Sequence, residues 1–272
     1  MKREDLKKYD LPDTPGVYLF RDARRKILYV GKATSLHNRV RSYFSSDLIN
    51  ARGERIVAMV DRATNITWQE TGSVLEALII EANLIKHHQP PYNVDEKDDK
   101  SWNYVVITKE DFPRVLVVRG RELEQKWDPA QIKYTFGPFP QGGTLKEAMK
   151  IVRKIFPYRD TCMPCPELRK AKPSSMPCKP CFNRQLGLCP GVCNGDVSKI
   201  EYARMVRHIV QLFSGNMKGL KRQLGVEMSR ASKAEYFEEA TVLRRQIAAL
   251  DHIRDVSLIR DEHKTHSGDS HI

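Results

Sequence analysis

Apolar and polar positions change their period several times along this chain, and each change predicts an element. Val17 and Leu19 alternate with Tyr18 and Phe20, the period of two that marks a strand. Ile27 to Val30 is a second short apolar run, and the segment between the two, Arg21 to Lys26, is polar and basic. The pair predicts a β-hairpin. In the simplest antiparallel register Phe20 faces Ile27 and Tyr18 faces Tyr29, so both tyrosines emerge on one sheet face. The chain must leave the strand at Gly31, and Thr34 or Ser35 can cap the helix that follows. On that helix Leu36, Arg39, Val40 and Tyr43 lie three or four apart and share a side. Two phenols, Lys32, Arg39 and Tyr43 therefore converge within one compact unit. Taken alone, tyrosines in a hairpin are ordinary strand residues.

Beyond the hairpin the pattern predicts a short helix over 54–63, a strand over 66–69 and a strong helix over 74–88. Leu75, Leu78, Ile79, Ala82 and Ile85 form the apolar stripe of that helix, and Gln89-Pro90-Pro91 ends it. It carries two glutamates. Helical phase turns Glu76 far from the stripe and leaves Glu81 at its edge, where a carboxylate can be partly buried and aimed at the sheet. Asp95 to Lys100 reads as a solvated charged loop. Two more strands are expected over 102–107 and 112–118. The aromatic segment from Tyr134 to Phe139 reads as a packed turn, with stacking on bases as its alternative. A helix follows over 144–156. From Ser198 onward the pattern is helical, with one helix over 200–213 and an antiparallel hairpin over 220–229 and 236–258, bent near Ala231–Lys233. The fold class is α+β, a small sheet flanked by helices followed by a cysteine-rich segment and a helical region. Expected boundaries are 12–95, 96–159, 160–197 and 198–262.

Composition adds charge and compartment. Lysine and arginine number 46 against 34 acidic residues in 272, a formal net charge of +12 and a pI near 9.4. Such a surplus suits a polyanion, because basic groups that neutralise phosphates release condensed counterions. No segment approaches the roughly 20 apolar residues that span a bilayer, and the charged N-terminus lacks a leader's apolar region, so a cytoplasmic location is expected. All six cysteines fall between 162 and 193 and are expected as reduced thiols or metal ligands, not disulfides. By spacing alone the pairs Cys162/Cys165 and Cys178/Cys181 look like a zinc ribbon. His263, His266 and His271 read as a polar tail.

The residues G-V-Y and Y-V-G, with Arg39 following, resemble the GIY-YIG nuclease domain, and G-K-A-T-S-L-H-N-R-V-R-S-Y-F is similar to the N-terminal half of the UvrC family of bacterial nucleotide excision repair. The likeness runs, with gaps, to about residue 260. It implies a catalytic set of Tyr18, Tyr29, Lys32, Arg39, Tyr43, Glu81 and Asn93, the last two from the family's L-I-x-E-A-N-L-I-K and P-x-Y-N. Glu76 and Asn83 are near misses read as structural. One Mg²⁺ or Mn²⁺ on Glu81 is implied, with waters filling most positions. At the cysteines the resemblance implies a [4Fe–4S] cluster on Cys162, Cys181, Cys189 and Cys193. Cys165 and Cys178 depart from the family pattern and stay open as zinc ligands or free thiols.

The last helices resemble the UVR motif, about 216–258, which implies docking on UvrB through Leu220, Leu224, Phe237, Ala240, Leu243 and Ile247; a bundle packed only on its own chain is the alternative. The family's RNase H-like nuclease and helix-hairpin-helix modules have no counterpart here, so the half that makes the 5′ incision is expected to be absent. The expected function is metal-assisted cutting of damaged double-stranded DNA 3′ of a lesion, with UvrB as partner and UvrA acting indirectly. A nuclease working without UvrB, and a UvrB-binding module with a silent site, are the alternatives.

Overall fold

The computed structural model describes residues 1–45, 48, 52–93, 102–165 and 178–251. The chain divides into two compact units, Met1–Asp99 and Lys100–Leu250. The charged loop at 95–100 and the histidines at 263, 266 and 271 lie outside the described residues.

The first unit is built on an antiparallel sheet of β1 (Gly16–Arg21), β2 (Ile27–Ala33) and β3 (Asn65–Glu70), in the order β2-β1-β3. Central β1 has both faces covered. Tyr18 and Phe20 point into one cluster with Leu36, Val40, Tyr43, Met59 and Val60. Val17 and Leu19 point into another with Val30, Ala77 and Ile85. The first cluster is closed by α1 (Leu36–Arg41) and α2 (Glu54–Arg62), the second by α3 (Val74–His88). Ser35 caps α1 by accepting the Asn38 N–H, and Ser73 caps α3 by accepting that of Glu76. The N-terminal residues, expected as a charged lead-in, form a 3₁₀ turn over Arg3–Lys8. Their anchor is the chain-end ammonium, which donates to Val60 O and Ala63 O at 3.0 Å, where a cation meets the negative end of α2.

The hairpin register differs from the simplest one. Tyr18 pairs with Gly31 and Phe20 with Tyr29, and the ladder is irregular where Arg21 meets Ile27. The cause is local. Asp22 accepts the N–H groups of Arg24 and Lys26 on Oδ1, Arg25 takes a left-handed φ of 63°, and the loop closes tightly around Asp22. The resulting offset is two residues. Because side chains alternate with period two, Tyr18 and Tyr29 keep their common face.

In the second unit β4 (Asn103–Thr108) lies between β5 (Val115–Arg119) and β6 (Ile132–Phe139), all antiparallel. The segment expected as a packed turn is thus a strand, whose Phe136 and Phe139 meet Phe213 at 5.6 and 6.2 Å between ring centroids. Helices α4 (Gly120–Lys126), α5 (Gly142–Ile155) and α6 (Phe182–Gln185) precede a helical end of α7 (Lys199–Phe213), α8 (Met217–Lys233) and α9 (Phe237–Asp251). The bend falls at 234–236, where Glu235 has φ 61°, directly after Ala231–Lys233, which complete the last turn of α8. Leu220 and Leu224 are fully buried, α8 packs on α7, and Leu243 is buried too. These three of the residues expected at a partner surface instead belong to the unit's own core. For the two on α8, amphipathic α7, the preceding helix, supplies the apolar face they need. Phe237 is 64% exposed, and Ala240 and Ile247 are half-buried.

Candidate active site on the free edge of β2

Strand β2 ends the sheet, so every second main-chain group on its outer side must find a partner elsewhere. Tyr92 donates its N–H to Leu28 O at 3.1 Å. Asn93 takes the Val30 N–H on Oδ1 and returns Nδ2 to Val30 O, both at 2.7 Å. Glu81 accepts the Lys32 N–H on Oε1 at 3.0 Å, and its Oε2 lies 3.7 Å from Lys32 Nζ. Residues 28, 30 and 32 are thereby satisfied in turn. Lys32 is 4% exposed and the Glu81 side chain 12%. The other glutamate of α3, Glu76, turns back to accept the Gly72 N–H at 2.8 Å, a capping contact at the start of its own helix.

The phenols gather on the opposite face. Tyr18 Oη and Tyr43 Oη are 2.7 Å apart, and Arg39 Nε donates to Tyr18 Oη at 3.2 Å. The Tyr29 ring lies 6.3 Å from that of Tyr18 and 6.1 Å from that of Tyr43. Gly31 makes this possible: a Cβ there would overlap Tyr18 Oη and Cζ. The Gly31–Lys32 peptide is therefore the junction of the site, with the Tyr18 hydroxyl seated on Gly31 and the Glu81 carboxylate on the N–H of Lys32. Burial pushes the Tyr18 phenol well above its ordinary value of 10.0, the neighbouring Tyr43 adds to this, and Arg39 opposes it. Burial, then Tyr43 and Tyr18, raises Tyr29 likewise. Both stay neutral at ordinary pH. Arg52, in a stretch that reads only as polar loop, places its guanidinium 4.4 Å from the centre of the Tyr43 ring and donates to Ser42 Oγ at 3.1 Å. Nothing in the local pattern marks it.

Residues 14–94 match the family model of the UvrC-like GIY-YIG domain, and residues 102–212 that of the UvrC/Cho excinuclease middle domain. Both matched models are of UvrC-type proteins, and together they span most of the chain. It is 40% identical over 243 residues to the UvrABC system protein C of Desulforudis audaxviator, covering 89% of this chain and 36% of that protein. The protein of the same name from Trichormus variabilis is 39% identical over 250 residues, 92% of this chain and 37% of the relative. The chain thus spans a little over a third of the length of the curated relatives it matches. Among solved structures, the GIY-YIG N-terminal endonuclease domain of UvrC from Thermotoga maritima is 38% identical, covering 35% of this chain and all of that one, with a TM-score of 0.30; it is described as bound to its catalytic divalent cation, magnesium. No helix among the described residues is long and apolar enough to cross a membrane.

In the matched middle region the Sγ atoms of Cys162, Cys181 and Cys193 lie within 4.8 Å of one another. The Cys162 thiol hydrogen-bonds Cys189. That bond draws Cys189 down to about 6, helped by the N–H groups of Gly191 and Val192, and pushes Cys162 up. The Cys181 N–H points at Cys193 Sγ at 3.2 Å. The segment is held by two arginines. Arg153 bonds Asp160 at 2.6 Å and Leu188 O at 2.9 Å; Arg159, 5% exposed, bonds Glu110 at 2.7 Å and the carbonyls of Phe112 and Cys162. Cys165 and Cys178 form a disulfide. This corrects the expectation that every cysteine is a reduced thiol or a ligand: the two are bonded to each other, and the Cys165 N–H donates to Val192 O at 3.1 Å.

Proposed function

We propose that the first unit is the nuclease of a UvrC-type repair enzyme, hydrolysing a phosphodiester of damaged double-stranded DNA on the 3′ side of the lesion. The observation that carries this reading is the junction at Gly31–Lys32, where a buried phenol network and a single carboxylate approach one peptide from its two sides. A carboxylate with both oxygens engaged by Lys32 still has lone pairs to offer, and one acid suits an ion that keeps most of its waters. Glu81 would hold Mg²⁺ or Mn²⁺, which when bound neutralises the scissile phosphate and stabilises the leaving oxygen. The raised phenols rule out a standing phenolate as the base. Tyr18 orients the attacking water, its hydroxyl held by Tyr43 and Arg39; as the water oxygen bonds to phosphorus, its proton passes to a non-bridging phosphate oxygen, and each phenol keeps its own. Arg39, fixed on Tyr18, and Lys32 supply positive charge for the pentavalent transition state. Asn93 holds the strand edge in register.

The cysteine donor set also fits a bound group. Four thiols with N–H groups aimed at two of the sulfurs are the environment that thiolate ligation requires, so Cys162, Cys181, Cys189 and Cys193 would hold a [4Fe–4S] cluster, zinc being the alternative, as a structural staple. UvrB is the proposed partner at the last two helices, where Tyr236, Phe237 and Val242 are exposed; damage recognition falls to UvrA and UvrB. A reaction on chromosomal DNA places the chain in the cytoplasm.

The test is incision of a lesion-bearing duplex with UvrA, UvrB and magnesium. Glu81→Gln keeps an acceptor for the Lys32 N–H, so the fold survives, and cutting drops on the order of a hundredfold or more as the ion's several kcal/mol are lost. Unchanged cutting by Glu81→Gln leaves the UvrB-binding reading in its place.

A further inference from the structure

We infer that the first unit contains a second nucleic-acid subsite, a pocket for one unstacked nucleotide of the strand being cut; this rests on the nuclease reading above. A cavity of about 700 Å³ opens between the N-terminal 3₁₀ turn and the outer side of α1. Its floor is apolar, from Leu6, Leu11 and Phe44. Its rim is basic: Arg3 and Lys7 from the turn, His37 and Arg41 from α1, with Glu4 the one opposing charge among the described residues that line it. Arg41 Nη1 lies 3.5 Å from His37 Nε2, so the two project together one turn apart. A duplex backbone asks only for a flat basic surface. A concave site with an apolar, aromatic floor and a cationic mouth matches a single nucleotide, whose base has a π-face and whose phosphate is anionic.

The position relative to the chemistry follows from helical phase. Arg39 lies about 200° around α1 from His37, and its guanidinium is on Tyr18. His37 and Arg41 therefore face away from the phenols while Arg39 faces them. The pocket and the Tyr18 hydroxyl are separated by one helix width, on the order of 10 Å, which is within reach of one strand running over α1. The 3₁₀ turn that forms the far wall is fixed to α2 by Met1 and to β3 by Tyr9, whose hydroxyl donates to Asn65 Oδ1 at 3.0 Å. The wall is preformed, and a nucleotide entering it meets no ordering cost from that side. Such a pocket selects a strand with an extrahelical nucleotide near the cut.

The experiment uses the full chain and two labelled duplexes of one sequence, fully paired or with one extrahelical nucleotide, with binding followed by fluorescence anisotropy in EDTA over a salt series. The parent protein binds the bulged duplex about tenfold more tightly, the effect of one stacked base. Lys7→Gln with Arg41→Gln, both at exposed positions, brings the two affinities together and reduces the slope of log K on log salt by about one to two, with an unchanged thermal transition. Equal binding of both duplexes by the parent, or an undiminished preference in the double variant, overturns the inference. The same preparations are then given lesion-bearing forms of both duplexes with UvrA, UvrB and magnesium. Glu81-dependent cutting that ignores the bulge removes this inference alone; a preserved, cavity-dependent preference with no cutting by the parent removes the nuclease reading instead.

Discussion

Asn93 faces Val30 with both ends of its amide, taking the N–H and supplying a donor to the carbonyl at 2.7 Å each. A side chain thereby stands in for a fourth strand at the open edge of the sheet. Asn93→Ala leaves both groups of a buried residue without that partner, and the expected loss is about 1–3 kcal/mol of stability. Chemical denaturation measures it. Incision should fall further than stability does, since β2 carries Tyr29 and Lys32. Asn93→Asp retains only the acceptor and should lie between the alanine variant and the parent.

Gly31→Ala puts a methyl group where the Tyr18 hydroxyl sits. The phenol must move or the strand must bow, at a cost of about 1–3 kcal/mol. Near-ultraviolet circular dichroism should report the displaced tyrosines. If the network orients the attacking water, incision falls along with that signal; a variant with native tyrosine dichroism and normal stability refutes the close contact.

Alkaline pH tests the buried phenols. Tyr18 and Tyr29 have raised values in the folded protein, so the folded state holds their protons more tightly than the unfolded one. Their contribution to stability is complete below the unfolded phenol value of 10.0 and is lost as pH climbs above it. Phenolate absorbance should show these two titrating late, together with the onset of unfolding. Tyr29→Phe removes one late phenol from the count.

The cysteine cluster predicts a bound group that absorbs. Anaerobically purified protein should show the broad visible band of an iron–sulfur cluster, and a colourless preparation with one zinc per chain decides for the alternative. Cys189→Ser loses the thiol that Cys162 bonds, and should lose the group with it. Cys165→Ser should keep it, because that residue is paired with Cys178.

Much of the fold is legible in the sequence where the signal is local. Helix α3 can be read to its ends, Val74–His88, since Ser73, the apolar stripe and Gln89-Pro90 act within a few residues. Helical phase likewise separates Glu81 from Glu76, and the coordinates place the first on Lys32 and the second on Gly72. Alternation along Gly16–Phe20 settles which side chains share a face. It leaves the register open, because a two-residue slip moves no side chain across the sheet; the Asp22 loop decides it. Segment 134–139 reads as a turn for want of its partner, since a strand edge is satisfied only by β4, far away in sequence.

What the amino-acid order determines by itself is the inventory: a hairpin with two phenols, a helix with a glutamate at the edge of its apolar stripe, and a cysteine segment. Tertiary structure decides who meets whom. The pairing of Cys165 with Cys178, the burial of Leu220 and Leu224 against the unit's own α7, and the approach of Arg52 to Tyr43 all join residues whose spacing predicts none of it. The reason is physical. Periodicity records which side of an element avoids water, whereas a contact across elements depends on which other surface arrives to cover that side.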